Sequence, residues 1–351
     1  LNPKTQSQNC IVCTGGGTAG HVFPHQALFD HPSSNLRKVY IGSLEGPEKQ
    51  WMQHWEYYGI SSGKFRRYKS FYHLIDPFFV ILGFLQSLRI LFKIKPQLVF
   101  SKGGYVSAPV VWAAWCLRIP IVIHESDRTL ALTTRLTALF ATQILITFPD
   151  TKTPYPQKTQ CLGLPLREEL FIKDPNLIKM SQKPLLCILG GSLGALGINK
   201  KIHEILPQLL EKMDILHIVG KGKETLHSEK GYTQKAFLES QEMAALFQKA
   251  DIILTRGGAT ALFECATAKI PMVIVPLGNK ASRGDQLINA EYFQNKGWGK
   301  ILSEEDSAEQ WIKTILEVLE NRNQIIESFK DGPSLEVNHR IRSYLETYFL
   351  K

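Results

Sequence analysis

At 351 residues the chain is long for a single hydrophobic core, so two domains of ordinary size are expected. Its 44% hydrophobic and 21% charged residues fit a soluble globular α/β protein and exclude a disordered chain. A formal net charge of +9 points to an anionic partner (nucleic acid, an acidic substrate or an anionic membrane face), and composition alone does not choose among these.

Residues 1–9 are polar and lack signal-peptide character, so a reducing, cytoplasmic compartment is expected. Cys10-Ile11-Val12-Cys13 reads as a buried first strand. Its cysteines, three apart, point to opposite faces; with Cys116, Cys161, Cys187 and Cys265 they read as buried structural thiols. Thr14-Gly15-Gly16-Gly17-Thr18-Ala19-Gly20-His21 then turns the strand into a helix with Pro24 near its start. Glycines there let backbone approach a ligand, and a helix N-terminus aims N–H groups at it, which suits an anionic or sugar-like ligand. His21 lies in the turn itself, where a base can reach that ligand. His25 follows at a spacing open to metal ligands, but Pro24 intervenes and no acid accompanies it, so no metal is expected.

Val39-Tyr40-Ile41-Gly42, Leu98-Val99-Phe100, Ile121-Val122-Ile123 and Ile144-Leu145-Ile146 alternate with helical stretches, the pattern of βα units on a parallel sheet. The second half repeats the plan. Cys187-Ile188-Leu189-Gly190-Gly191-Ser192-Leu193-Gly194 answers to the first glycine turn. Leu254-Thr255-Arg256-Gly257-Gly258 answers to Phe100-Ser101-Lys102-Gly103-Gly104, and Ile270-Pro271-Met272-Val273-Ile274 answers to Ile119-Pro120-Ile121-Val122-Ile123. Three matched signals in one order predict two Rossmann-like domains facing one cleft. The passage between them falls in 151–167, where Pro154, Pro156, Gly163 and Pro165 break regular structure. The expected domains are 1–160, joined by a C-terminal helix over 335–351, and 161–334.

Neither glycine turn follows the dinucleotide pattern with an acid some twenty residues on. The run Thr255-Arg256-Gly257-Gly258-Ala259-Thr260-Ala261-Leu262-Phe263-Glu264 sets small residues at a helix start, suited to a diphosphate, with Glu264 further in for a ribose hydroxyl pair. The polar residues of 276–290 fall at the carboxyl end of the sheet, where open α/β sheets bind ligands.

Several motifs together carry a resemblance: Gly16-Gly17-Thr18-Ala19-Gly20-His21-Val22-Phe23-Pro24, Gly103-Gly104-Tyr105-Val106-Ser107-Ala108-Pro109, His124-Glu125-Ser126-Asp127, Gly190-Gly191-Ser192-Leu193-Gly194-Ala195, and the runs 256–264 and 284–290. On them the sequence resembles the MurG family of peptidoglycan glycosyltransferases across nearly its whole length. The resemblance implies a GT-B fold, two Rossmann-like doubly wound parallel-sheet domains. It implies an inverting hexosyltransferase moving N-acetylglucosamine from UDP-N-acetylglucosamine to undecaprenyl-pyrophosphoryl-N-acetylmuramoyl-pentapeptide (lipid I), giving lipid II, without a metal or other cofactor. The implied place is the cytoplasmic face of the plasma membrane, as a peripheral protein. Its implied partners are an anionic membrane surface and other cell-wall synthesis proteins, and no nucleic acid.

By the same resemblance Thr18, Ala19 and Gly20 face the N-acetylglucosamine and diphosphate, and His21 is the candidate base. Asp127, where many members have an asparagine against the sugar, is the second catalytic candidate. Arg167 matches an arginine of the domain passage, Ser192 a diphosphate contact, and Ser240 the loop whose backbone reads uracil. Ala259, Thr260, Ala261, Leu262, Phe263 and Glu264 line ribose and phosphates, Gln286 contacts the sugar, and Tyr105 belongs to the acceptor side. His124 reads as a structural residue at a sheet end. Ala19, Asp127, Leu164, Leu193 and Asp285 depart from the commonest pattern, and the two aspartates add negative charge beside a negatively charged donor. Three rivals stay open: a glycosyltransferase of the same fold for another lipid, a UDP-N-acetylglucosamine 2-epimerase, and an inactive binding module.

Gly15 and Gly103 lie 88 positions apart but Gly190 and Gly257 only 67, so the first domain carries about 21 extra residues, placed within 63–95. Gly63-Lys64-Phe65-Arg66-Arg67-Tyr68-Lys69 is basic and aromatic. Asp76 and Pro77 read as N-cap and first position of an apolar helix over 78–92. At about fifteen residues, interrupted by Arg89, it falls short of the roughly 20 needed to span a bilayer. The expectation is a helix with one face on the sheet and the other, with Phe78 and Phe79, in the lipid interface, where Arg66 and Arg67 meet anionic headgroups.

Overall fold

The computed structural model describes residues 9–31, 36–63, 72–174, 182–191, 194–225, 229–278 and 284–350. The chain divides into two units, the first joining Leu1–Leu166 to Glu336–Lys351 and the second comprising Arg167–Leu335.

Among the described residues the first unit builds a seven-stranded sheet from β1 (Cys10–Thr14), β2 (Arg37–Ser43), β3 (Glu56–Ile60), β4 (Leu98–Ser101), β5 (Ile121–Glu125), β6 (Gln143–Ile146) and β7 (Thr159–Cys161), in the order β3-β2-β1-β4-β5-β6-β7. Every pairing is parallel, and strands covered on both faces carry continuous apolar runs rather than alternating ones. The pleat sends Cys10 and Val12 into one core cluster and Ile11 and Cys13 into another, whereas Cys116 and Cys161, expected to be buried, are exposed. From β1 the chain steps outward to β3, then returns to add β4 on the other side. That reversal sets the loops after β1 and β4 side by side, the position where open α/β sheets take ligands.

The C-terminal helix Glu336–Phe349 belongs to the first unit because Val337, Ile341 and Leu345 bury themselves in its core. Asn338, fully buried, fastens it: its Oδ1 accepts the Leu166 N–H at 3.0 Å, and its Nδ2 donates to the Leu166 carbonyl at 2.7 Å.

The second unit repeats the design with β8 (Leu185–Leu189), β9 (Asp214–Ile218), β10 (Tyr232–Lys235), β11 (Ile252–Thr255), β12 (Met272–Ile274) and β13 (Gly299–Ile301), ordered β10-β9-β8-β11-β12-β13. The reversal here lies between β8 and β11, so the Gly190-Gly191 and Gly257-Gly258 turns adjoin. The doubled βα plan read from the repeated motifs is the observed fold.

The extra helix differs from expectation. It runs Tyr72–Ile94, 23 residues, and Pro77 lies inside it rather than at its first position. A proline this near the N-terminus removes one ladder bond where the ladder is only beginning, so the Asp76-Pro77 signal does not stop the helix. The segment Asp76–Ile94 is long and apolar enough to cross a bilayer by length and composition. Ser87 and Leu91 are nevertheless fully buried, and the helix packs against β3 and the Ser107–Cys116 helix, so it is part of the folded unit.

Candidate active site

The first unit brings its two glycine turns into contact. Gly104, at φ +82°, lies so close to the β1 turn that a Cβ there would sit 2.4 Å from the Gly16 carbonyl oxygen. A carbon built on Gly103 would meet the His21 ring at 4.0 Å, and one built on Gly17 the Tyr105 ring at 3.1 Å. His21, Tyr105 and Gly103 therefore share one end of the sheet. His21 closes a 3₁₀ turn, Ala19–His21, and its Nδ1 lies 2.9 Å from the Thr18 hydroxyl. When Nδ1–H donates to that hydroxyl, Nε2 presents the lone pair a general base requires.

The turn differs from expectation in one respect. The Gly17 N–H donates to Glu48 Oε2 at 3.3 Å, and buried Glu48 also accepts from the Ser43 N–H and hydroxyl at 3.0 and 2.6 Å. A carboxylate of the chain already takes this donor. The helix behind it, Phe23–Phe29, is only two turns long. This end suits neutral sugar hydroxyls better than phosphate.

Beside it, at the ends of β4 and β5, lies a buried charged cluster. Lys102 Nζ donates to His124 Nδ1 at 2.7 Å and to the Ser126 hydroxyl at 2.6 Å. Glu125 Oε1 accepts the N–H groups of Ser126 and Asp127, and its Oε2 accepts the Ala131 N–H and the Thr134 hydroxyl. Burial lowers the Lys102 amine toward neutrality, and the charges of Glu125 and Asp127 push it back up. Burial, then Asp127, raises the Glu125 carboxyl.

In the second unit the helix Ala259–Thr267 starts from Gly258, with Ala259, Thr260 and Ala261 in its first turn, where N–H groups have no intrahelical acceptor. Leu262 is already bonded within the helix, its N–H meeting the Gly258 carbonyl at 3.1 Å. Leu262 and Phe263 are buried, Phe263 edge-on to Phe293 at 5.2 Å. Their side chains seat the helix. Glu264, also buried, pairs with Arg167 at 3.2 Å. Burial raises its carboxyl and Arg167 opposes the shift. Gly257 admits no side chain, since a Cβ would lie 2.3 Å from the Gln286 carbonyl oxygen. Gln286 Oε1 accepts the Leu277 N–H at 3.0 Å, which orients its amide nitrogen away from that strand end.

The N-terminal domain of glycosyltransferase family 28 matches residues 11–146, and the family's C-terminal domain matches 185–336. The chain belongs to this family. A Lachnospira eligens protein named UDP-N-acetylglucosamine–N-acetylmuramyl-(pentapeptide) pyrophosphoryl-undecaprenol N-acetylglucosamine transferase is 41% identical over 328 residues, 90% of this chain and 92% of its own length. MurG of Acinetobacter baumannii superposes with a TM-score of 0.75 at 23% identity, covering 97% of this chain and 99% of that one. A putative UDP-N-acetylglucosamine 2-epimerase from Listeria monocytogenes superposes at 0.69 and 12% identity, with 97% of each chain covered. These two likenesses speak to fold alone. The chain is a family 28 glycosyltransferase with the GT-B fold.

Within this family member the structure brings Arg167 to Glu264 and Thr18 to His21, and it sets Gln286 against Gly257. Asp127 stands at the Lys102 cluster, partly exposed. Ser240 is the exposed first residue of the helix Ser240–Lys249, held by reciprocal bonds between Glu239 and Glu242. Ser192, Arg66 and Arg67 lie outside the described residues. Sequence reasoning missed Glu48, Lys102 and Asn289. Asn289, fully buried, donates from Nδ2 to the Gly257 carbonyl at 3.1 Å and so fixes the second-unit turn. Lys102 carried a usable signal, a lysine directly following an apolar strand. Glu48 carried none, because the turn residue it serves, Gly17, lies 31 residues away.

Proposed function

We propose that this chain transfers N-acetylglucosamine from UDP-N-acetylglucosamine to lipid I, forming lipid II, by direct displacement with inversion. The observation that carries the reading is the 41% identity to a relative named for that transfer, running over 90% of the chain and so through both units. His21, oriented by Thr18, accepts the proton of the attacking sugar hydroxyl as that oxygen bonds to the anomeric carbon. Proton transfer of this kind contributes roughly 10²–10⁴-fold. Thr18, Ala19, Gly20 and Asp127 are the first unit's contacts to the sugar, and Gln286 is the second unit's. As the bond from the anomeric carbon to the β-phosphate oxygen breaks, UDP departs with that electron pair and so with a third negative charge on its phosphates. The outward N–H groups of Ala259, Thr260 and Ala261 and the helix dipole stabilise them, and Ser192 is a further diphosphate contact by the family resemblance. Glu264, steadied by Arg167, accepts from the ribose hydroxyls, and the backbone at Ser240 reads the uracil. No metal or other cofactor has a part in this scheme.

The acceptor is a lipid, and the first unit carries the means to meet one. Phe78, Ile81, Leu85 and Phe92 on the Tyr72–Ile94 helix are exposed. With Arg66 and Arg67 they support peripheral attachment at the cytoplasmic face of the membrane. Tyr105, at the turn beside Gly17, faces the acceptor.

The test is incubation with UDP-N-acetylglucosamine and a lipid I analogue, following UDP release and the disaccharide product. Diacylglycerol as sole acceptor, and donor without acceptor, form the two control arms. Turnover only with diacylglycerol, or epimerised donor in the last arm, would overturn the reading.

A further inference from the structure

Lys102 has no role in the scheme above, yet it is 3% exposed and lies one strand from the sugar-side residue Asp127. Its surroundings define its chemistry. His124 Nε2 lies 2.8 Å from the Gly163 carbonyl oxygen, which can only accept, so Nε2 carries the ring proton. Nδ1 therefore offers a lone pair, and the Lys102 ammonium donates to it at 2.7 Å and to the Ser126 hydroxyl at 2.6 Å. Burial, reinforced by Lys102, keeps His124 neutral.

The charged and titratable groups around Lys102 come from three elements. Buried His25, from the helix after β1, acts as a second neutral imidazole whose protonation Lys102 opposes. His124 and Glu125 end β5, and Asp127 follows it. An unpaired ammonium buried this deeply would give up its proton, and unpaired buried carboxylates would take protons up. Glu125 in turn anchors the loop, since it accepts from the N–H groups of Ser126 and Asp127 and from Ala131 and Thr134. Residues 124–127 thus all bear on one cation, directly or through Glu125.

We infer that Lys102 is a positioning residue for sugar transfer: its ammonium offsets the charge of Asp127 and Glu125 and holds the 124–127 segment where Asp127 meets the N-acetylglucosamine of an anionic donor. The inference rests on the sugar-side placement of Asp127 in the proposed function. It also accounts for an aspartate where the family resemblance expects asparagine, because here the carboxylate is accompanied by its own buried cation. Lysine and aspartate form a set.

The experiment is a double-mutant cycle in the full chain: Lys102→Met, Asp127→Asn and both together. Calorimetry gives the affinity ratio of UDP-N-acetylglucosamine to UDP, a readout that needs no turnover, and kcat and KM with the lipid I analogue follow. Lys102→Met should lower the ratio about tenfold, a coupling typical of residues in one charge network, and should leave affinity for UDP itself unchanged. In the Asp127→Asn background the same change should cost less than about threefold. Equal losses in both backgrounds would overturn the inference, as would loss of UDP affinity in step with UDP-N-acetylglucosamine. If Lys102→Met fails to fold, recovery of a cooperative melt in the double variant supports the pairing. Failure of both to fold assigns the cation to Glu125 and the fold, and refutes it. A parent protein inactive on lipid I would sink the functional reading while leaving the binding cycle legible.

Discussion

The exposed face of the Tyr72–Ile94 helix can be tested by removing it. Phe78 is 71% and Phe79 41% exposed, and Leu82, Leu85 and Phe92 continue the face of Phe78 at helical spacing. Ser87 and Leu91, opposite Phe78, are fully buried and untouched by the substitutions, while Phe79, more than half covered, lies at the edge of the exposed face. At about 200 Å² per phenylalanine side chain, the two rings offer roughly 220 Å² to a lipid surface. Covered completely, that area is worth about 5 kcal/mol at about 25 cal/mol per Å², and rings lying at the headgroup boundary gain about half. Phe78→Ser with Phe79→Ser should therefore weaken partitioning onto anionic vesicles by roughly 10²-fold. Sedimentation across a lipid titration measures it, with UDP calorimetry on the same protein to show that the second unit is undisturbed. If the variant sediments as the parent does, this face is not the lipid-binding surface. Arg66→Glu with Arg67→Glu should act in the same direction, at about 1 kcal/mol per charge removed from the surface.

His21→Ala should lower kcat by roughly 10²–10⁴ with little change in UDP affinity; near-normal turnover would transfer the base role to Asp127. Glu264→Ala should weaken UDP binding by about 1–3 kcal/mol through unpaired ribose hydroxyls, and unchanged calorimetric affinity would leave Glu264 as a partner of Arg167 alone. Acid stability follows from His217, whose Nδ1 lies 2.9 Å from the Tyr232 hydroxyl and whose Nε2 lies 3.0 Å from Asn199 Oδ1. Burial, then His203, lowers it to about 3, so below the unfolded value the unfolded chain binds the proton that the folded chain refuses. Stability should thus fall as pH drops through about 6.5, by about 2 kcal/mol between pH 7 and 5 from this group, and His217→Gln should flatten the slope by that amount in calorimetric unfolding. Identical slopes in parent and variant would refute it.

The sequence alone determined the βα alternation, the doubling of the glycine turns and the position of His21 behind the first of them. These rest on runs of neighbours: an apolar strand covered on both faces, a turn only glycines can make, a helix following at once. Such signals survive without knowledge of the rest of the chain. The Asp76-Pro77 signal is equally local but weak: a proline that removes one bond at the start of the ladder does not stop the helix, which begins at Tyr72. What only the tertiary structure decided is which distant groups complete each turn. Glu48 takes the Gly17 N–H from 31 residues away, and Asn289 holds Gly257 across 32. Lys102 finds His124 and Ser126 because β4 and β5 are neighbours in the sheet. A buried donor or charge must find a partner wherever the fold provides one, and strand order sets that, not the residues on either side.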